Sequence, residues 1–143
     1  MEPKCIAKSL VRKHNTRDPF RVANALGYVV IRIPLQGIRG FCQRMKRRLV
    51  ICIDNDLLEW EARFVCAHEI GHALMHQGYN RVYMDTNTYF PVNRYEIEAN
   101  RFAVDLLYDD DDLRELLGYP VQLAADYMGV SVELAEYRMG SVT

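Results

Sequence analysis

Two histidines bracket a glutamate in His68-Glu69-Ile70-Gly71-His72, an H-E-x-x-H motif inside the helix-length apolar run from Leu57 to His76. On an α-helix, residues four apart share a face and lie roughly 6 Å apart along the axis. Two imidazoles placed this way can grip one zinc ion, and Glu69 then faces a water in the ion's open position. Hydrolytic zinc sites take three protein ligands and leave that fourth place open. The ion brings the water's pKa toward neutrality and polarises a carbonyl to be cleaved. Glu69 can act as general base, taking the water's proton and passing it to the leaving amine. The motif predicts a metal-dependent hydrolase, in the first instance a peptidase.

Short motifs recur by chance, so the setting carries weight. From Phe64 to Met75 every residue is apolar or small except His68, Glu69 and His72. A helix apolar all round is a buried helix. A buried carboxylate beside two imidazoles is costly unless something compensates it, and a cation with its water compensates all three. The alternative, two histidines satisfied in the core or at the surface, leaves Glu69 unexplained.

The third ligand must come from elsewhere. His76 on a continuous helix would lie roughly 12 Å from His68, too far to share an ion. It reads better as a polar residue near the negative end of the helix dipole. No H-E-x-x-H-x-x-G-x-x-H spacing supplies a third histidine. Glu96 shares a helical face with Ala99, Asn100 and Ala103 and can point toward the zinc helix. It is preferred to Glu98, which points the other way as a solvated charge. Asn100, one turn after Glu96, can bond a ligand histidine and fix its tautomer.

The elements that must position these groups follow from local signals. Residues 4–13 suit a short helix. Asp18-Pro19 opens a second helix, with an acceptor at the cap and proline in the first turn, and Gly27 closes it. Tyr28–Ile33, Ile38–Gln43 and Leu49–Ile53 read as strands, the last two joined by the basic turn Arg44–Arg48. Asp54, Asn55 or Asp56 is expected to cap the long helix, and Gly78 to end it. Arg81–Met84 suits a short strand. Val92–Tyr108 is helical, with Ala99, Ala103, Leu106 and Leu107 on one face and Glu98, Arg101 and Asp105 on the other. Asp109–Asp112 reads as a solvated loop or the cap of a short helix. Pro120 starts another helix, Gly129 stops it, and Ser131 caps the last. The expected class is α+β, a single domain over 1–143, with a core to residue 108 and a helical part over 109–143.

The chain has 143 residues, half of them hydrophobic, and a net charge of −1. That length supports a proper core, and the balance argues against a dedicated nucleic-acid binder. Cys5, Cys42, Cys52 and Cys66 form no C-x-x-C pair and read as reduced thiols of a cytoplasmic protein; a Cys42–Cys52 bridge across the hairpin is the less favoured option. No secretory h-region or membrane-length run is present in the sequence, so no membrane partner is expected.

Taken together, these residues resemble the ImmA/IrrE family of zinc metallopeptidases. The likeness rests on Asp18-Pro19-Phe20, Leu26-Gly27, the Leu49–Ile53 strand before Asn55, His68 through His76, and Glu96-Ile97-Glu98-Ala99-Asn100-Arg101-Phe102-Ala103 followed by Leu106-Leu107. The pairing of the two helical motifs is far more specific than either alone. The resemblance implies a gluzincin-like architecture: a small mixed sheet packed on a central zinc-binding helix, with the glutamate ligand on a second helix. It also implies one Zn2+ ion and a substrate, a cognate helix-turn-helix repressor whose cleavage relieves repression of mobile-element or stress genes. The shortness of the chain favours the compact, mobile-element type.

Two other readings differ in class. The chain could be a regulatory protein with a structural zinc site that acts by holding its repressor without cutting it. Residues 121–139 also have helix-turn-helix spacing, but Glu133 and Glu136 against Arg138 suit phosphates poorly, which favours a packing role. The Ile38–Gln43 strand is a candidate edge for an extended substrate. Tyr79, Tyr83, Tyr89 and Tyr95 are unranked candidates for an oxyanion donor.

Overall fold

The computed structural model describes residues 2–78, the backbone of 83 and 84, and residues 94–143. Helix α1 spans Pro3–His14 and ends on Asn15 in the left-handed conformation. Asp18 accepts from the Phe20 amide and caps α2, Pro19–Ala25. Strands β1 (Val29–Ile33), β2 (Ile38–Met45) and β3 (Arg48–Asp54) follow. Helix α3 covers Glu59–Met75, β4 covers Tyr83–Met84, and α4 covers Arg94–Leu107. Three further helices, α5 (Asp110–Leu113), α6 (Val121–Met128) and α7 (Val132–Met139), complete the described chain, with a 3-10 turn after α5.

The class is α+β. The sheet is mixed and ordered β1-β3-β2-β4. β1 runs parallel to β3, and β2 is antiparallel to β3 and to β4. β3 occupies an interior position and is buried from Leu49 to Ile53, as suits a strand paired on both sides. The basic segment expected as a turn is largely strand: Arg44 pairs with Leu49 and Met45 with Arg48. The reversal is confined to Lys46 and Arg47, with Lys46 at φ +58. Cys42 faces Ile51 and Cys52 faces Phe41, so alternation sends the two thiols to opposite faces. All four cysteines are free.

Helix α3 lies between the sheet and α4, touching β2, β3 and α4. Its middle, Val65 to Ala73, is buried without interruption, which is why its apolar residues show no one-sided stripe. Leu58, rather than any of Asp54–Asp56, occupies its N-cap; Glu61 reaches back to the Leu58 amide at 3.0 Å. Asp54 instead accepts from the Leu35 amide. Two glycines set the packing distances. A Cβ on Gly40 would come within 2.5 Å of Val65, and one on Gly71 within 3.0 Å of Phe102. Strand and helix therefore both approach α3 at backbone range.

A first core cluster gathers Val22, Ile51, Ile53, Val65, Ile70, Phe102 and Leu106 around α3. A second gathers Val104, Leu113, Ala124, Ala125, Met128 and Ala135 under the C-terminal helices. The side of α4 that carries Asp105 is covered there. Asp105 is buried, accepts from the Tyr137 hydroxyl at 2.5 Å, and lies 3.8 Å from the Arg138 guanidinium. Of the two readings of the acidic run, the helix cap holds: Asp109 caps α5, and Asp110 pairs with buried Arg138 at 2.8 Å. With Arg138 committed inward, the α6–α7 pair presents Glu133 and Glu136 outward, consistent with packing rather than contact to phosphates. Among the described residues no helix is long and apolar enough to cross a membrane.

Candidate metal centre

His68 and His72 project from α3 toward α4, where Glu96 meets them in the first turn. Their Nε2 atoms lie 3.1 Å apart. Glu96 places Oε1 3.2 Å from His68 Nε2 and Oε2 3.0 Å from His72 Nε2. Both imidazoles are buried, and the Glu96 side chain is 15% exposed. Ligand atoms on a tetrahedron with bonds of about 2.0–2.1 Å are spaced about 3.3 Å apart. The observed spacings fit that frame, and the three residues can hold a metal ion.

Protons sharpen the fit. His68 Nδ1 is 2.7 Å from Asn100 Oδ1. A carbonyl oxygen accepts, so His68 Nδ1 carries the proton and its Nε2 lone pair faces the site. Burial, with the neighbouring His72 adding to it, lowers His68 to about 4 despite the raising effect of Glu96, so the ring is neutral. The His68 Nε2 lone pair and the Glu96 carboxylate, 3.2 Å apart, repel one another, and a cation between them would resolve the conflict.

Glu69 is fully buried, and among the described residues neither of its oxygens meets a donor stronger than the Cys42 thiol beside it. Oε2 lies 3.9 Å from His68 Nε2. Burial, then the charge of Glu96, pushes its carboxyl up to about 8. Cys42 from β2 is beside it, and burial followed by the Glu69 charge pushes that thiol up to about 12. A buried polar group without a partner costs about 1–3 kcal/mol, and a metal with its water would relieve that cost. A cleft of about 550 Å³ opens beside the site, between Cys42, Gln43 and Arg44 of β2 and His72 and His76.

Residues 23–140 match the IrrE N-terminal-like domain of the M78 peptidases. The chain belongs to the ImmA/IrrE family. Metallopeptidase ImmA of Bacillus subtilis (strain 168) is 23% identical over 141 residues, covering 94% of this chain and 82% of the relative. An immunity region protein 2 of Bacillus phage phi105, described as uncharacterized, is 36% identical over 135 residues, covering 85% of each. ImmA/IrrE membership supports a metallopeptidase-type function.

The structure brings His68, Glu69, His72, Glu96 and Asn100 together. It also corrects three expectations. Glu98 does not point away as a solvated charge: its Oε1 lies 2.8 Å from His76 Nε2. His76 is not in the last turn but just beyond it, as the C-cap, with its Nδ1 3.0 Å from His72 Nδ1. A sequence signal for this pair existed, since His76 follows His72 by four residues and His72 needs a partner for its second nitrogen. The proposed substrate edge is altered too, because β4 pairs with β2 at Ile38 and Gly40. Of the candidate oxyanion donors, Tyr79, Tyr89 and the Tyr83 side chain lie outside the described residues. Tyr95 packs on His76, with ring centroids 4.5 Å apart.

Proposed function

We propose that this protein is a zinc-dependent endopeptidase whose substrate is a helix-turn-helix repressor. The observation that carries the reading is the convergence of His68 Nε2, His72 Nε2 and the Glu96 carboxylate at 3.0–3.2 Å beside the buried Glu69. His68, His72 and Glu96 would hold the ion, and two imidazoles with a carboxylate suit zinc. When bound, zinc supplies a Lewis acid and a water of lowered pKa. With a cation offsetting its burial, Glu69 would be held as a carboxylate placed to accept a proton from a water at the site and to pass it to the amine leaving the cut peptide bond. Asn100 holds His68 in the tautomer that presents Nε2. The repressor substrate draws on the phage immunity region in one relative's name, on the ImmA relative, and on the motif pairing in α3 and α4.

Glu69→Gln tests the mechanism. The variant is expected to bind zinc as wild type does, measured by metal analysis, and to lose cleavage of the partner repressor by a factor of at least about 100. Unchanged cleavage would remove Glu69 from the reaction. Relief of repression by the variant without a cut product would favour the holding mode instead.

A further inference from the structure

Beyond the last residue of α3, His76 folds back onto His72, with 3.0 Å between their Nδ1 atoms. Two ring nitrogens at that distance share one proton, so one donates and one accepts. On its far side, His76 Nε2 lies 2.8 Å from Glu98 Oε1, and a carboxylate only accepts, so Nε2 carries a proton. With a metal ion on the His72 Nε2 lone pair, the proton between the two rings would sit on His72 Nδ1, and His76 Nδ1 would accept it. The His76 side chain is 2% exposed and that of Glu98 35%, so the chain runs from the surface to the buried centre.

We infer that Glu98 and His76 form a relay that fixes the tautomer of His72 and keeps its Nε2 available to a metal ion. The inference rests on the metal-centre reading above and adds two positioning residues to it. The two ligand imidazoles are then oriented by different means: an amide carbonyl from Asn100 for His68, and an imidazole backed by a carboxylate for His72. Outer partners of this kind orient ligand rings and raise their basicity. Glu98 stands at the surface end, so its loss leaves the core packing in place.

The test uses zinc-loaded, 15N-labelled protein, with long-range proton–nitrogen NMR correlations reading each ring, and zinc affinity from competition with a chromophoric chelator. In wild type, His68 and His72 are expected to carry Nδ1–H and His76 Nε2–H. Glu98→Ala is expected to shift the His76 ring-nitrogen resonances and weaken zinc binding about 10–100-fold. His76→Leu should weaken it at least as much. His76→Gln, whose side-chain carbonyl can accept from His72 Nδ1–H, should recover most of the loss, a rescue that packing alone does not produce. His76 found as Nδ1–H in zinc-loaded wild type would overturn the inference. So would Glu98→Ala with zinc affinity unchanged. Wild type that binds no zinc would strike the metal-centre reading instead.

Discussion

Gly71 and Phe102 lie so close that a Cβ built on the glycine would come within 3.0 Å of the aromatic ring. The glycine inside the H-E-x-x-H motif thus sets how near α4 comes to α3, and with it how near Glu96 comes to the two imidazoles. Gly71→Ala tests this. Alanine favours the helix by about 1 kcal/mol, while overpacking costs about 1–3 kcal/mol, so stability should change little or fall slightly. Zinc affinity should fall by about tenfold or more as the ligand helix is displaced. Adding Phe102→Leu should recover affinity in a chelator competition; no loss in the single variant would detach the glycine from the site.

The pH dependence of metal-free stability follows from Glu69 and His68. Glu69 titrates near 8 in the fold, against 4.5 for an ordinary glutamate carboxyl. Its raised value means the stabilising contribution is full below pH 4.5 and is lost as pH rises through 8. His68 is lowered from 6.5 to about 4, so it destabilises as pH falls below 6.5. Between 4.5 and 6.5 the two slopes oppose. From 6.5 to 8 the Glu69 slope acts without that opposition, at about 1.4 kcal/mol per unit, or about 2 kcal/mol over the window. Urea denaturation in excess chelator should show this decline in wild type and its absence in Glu69→Gln.

Arg138 ties the C-terminal helices to α4 through Asp105 and Asp110. Truncating one member of a buried ion pair costs about 3–5 kcal/mol, so Arg138→Ala should lower the denaturation midpoint strongly. Tyr137→Phe removes one donor to buried Asp105 and should cost about 1–3 kcal/mol. Equal, small effects of both would show that this network contributes little.

Asn100 gives a paired comparison. Asn100→Leu removes the acceptor for His68 Nδ1–H and should weaken zinc about 10–100-fold, whereas Asn100→Asp keeps an acceptor and should stay within about tenfold of wild type. Similar losses in both would mean that side-chain shape, rather than the carbonyl, governs the site.

Much of this arrangement was legible in local sequence. Asp18-Pro19 and Gly27 bounded α2 because caps and turns are set within a few residues, and β-branched runs marked the strands. The convergence of Glu96 and Asn100 on the histidines could be read from helical periodicity, since α4 buries the face that carries them. What could not be read depended on distant partners. Asp105 looks solvated until α7 arrives with Tyr137 and Arg138. Arg44 and Arg48 look like a turn until cross-strand pairing extends both strands. The His76–Glu98 contact requires α3 to end at Met75, so that the next ring leaves the helical path and swings back. Helical spacing alone holds that ring too far along the axis.

One cation near the N-terminus bears on how this protein can be divided. Arg17 Nη1 lies 3.1 Å from each of the Asp105, Leu106 and Tyr108 carbonyls, the negative pole of the helix whose opposite end carries Glu96. Ala7 and Leu10 of α1 are buried in the same core. The family match nevertheless begins at residue 23. The family-model boundary therefore marks a smaller stretch than the packed unit, and a fragment cut there would keep every proposed ligand while losing the anchor at the far end of the helix that presents one of them.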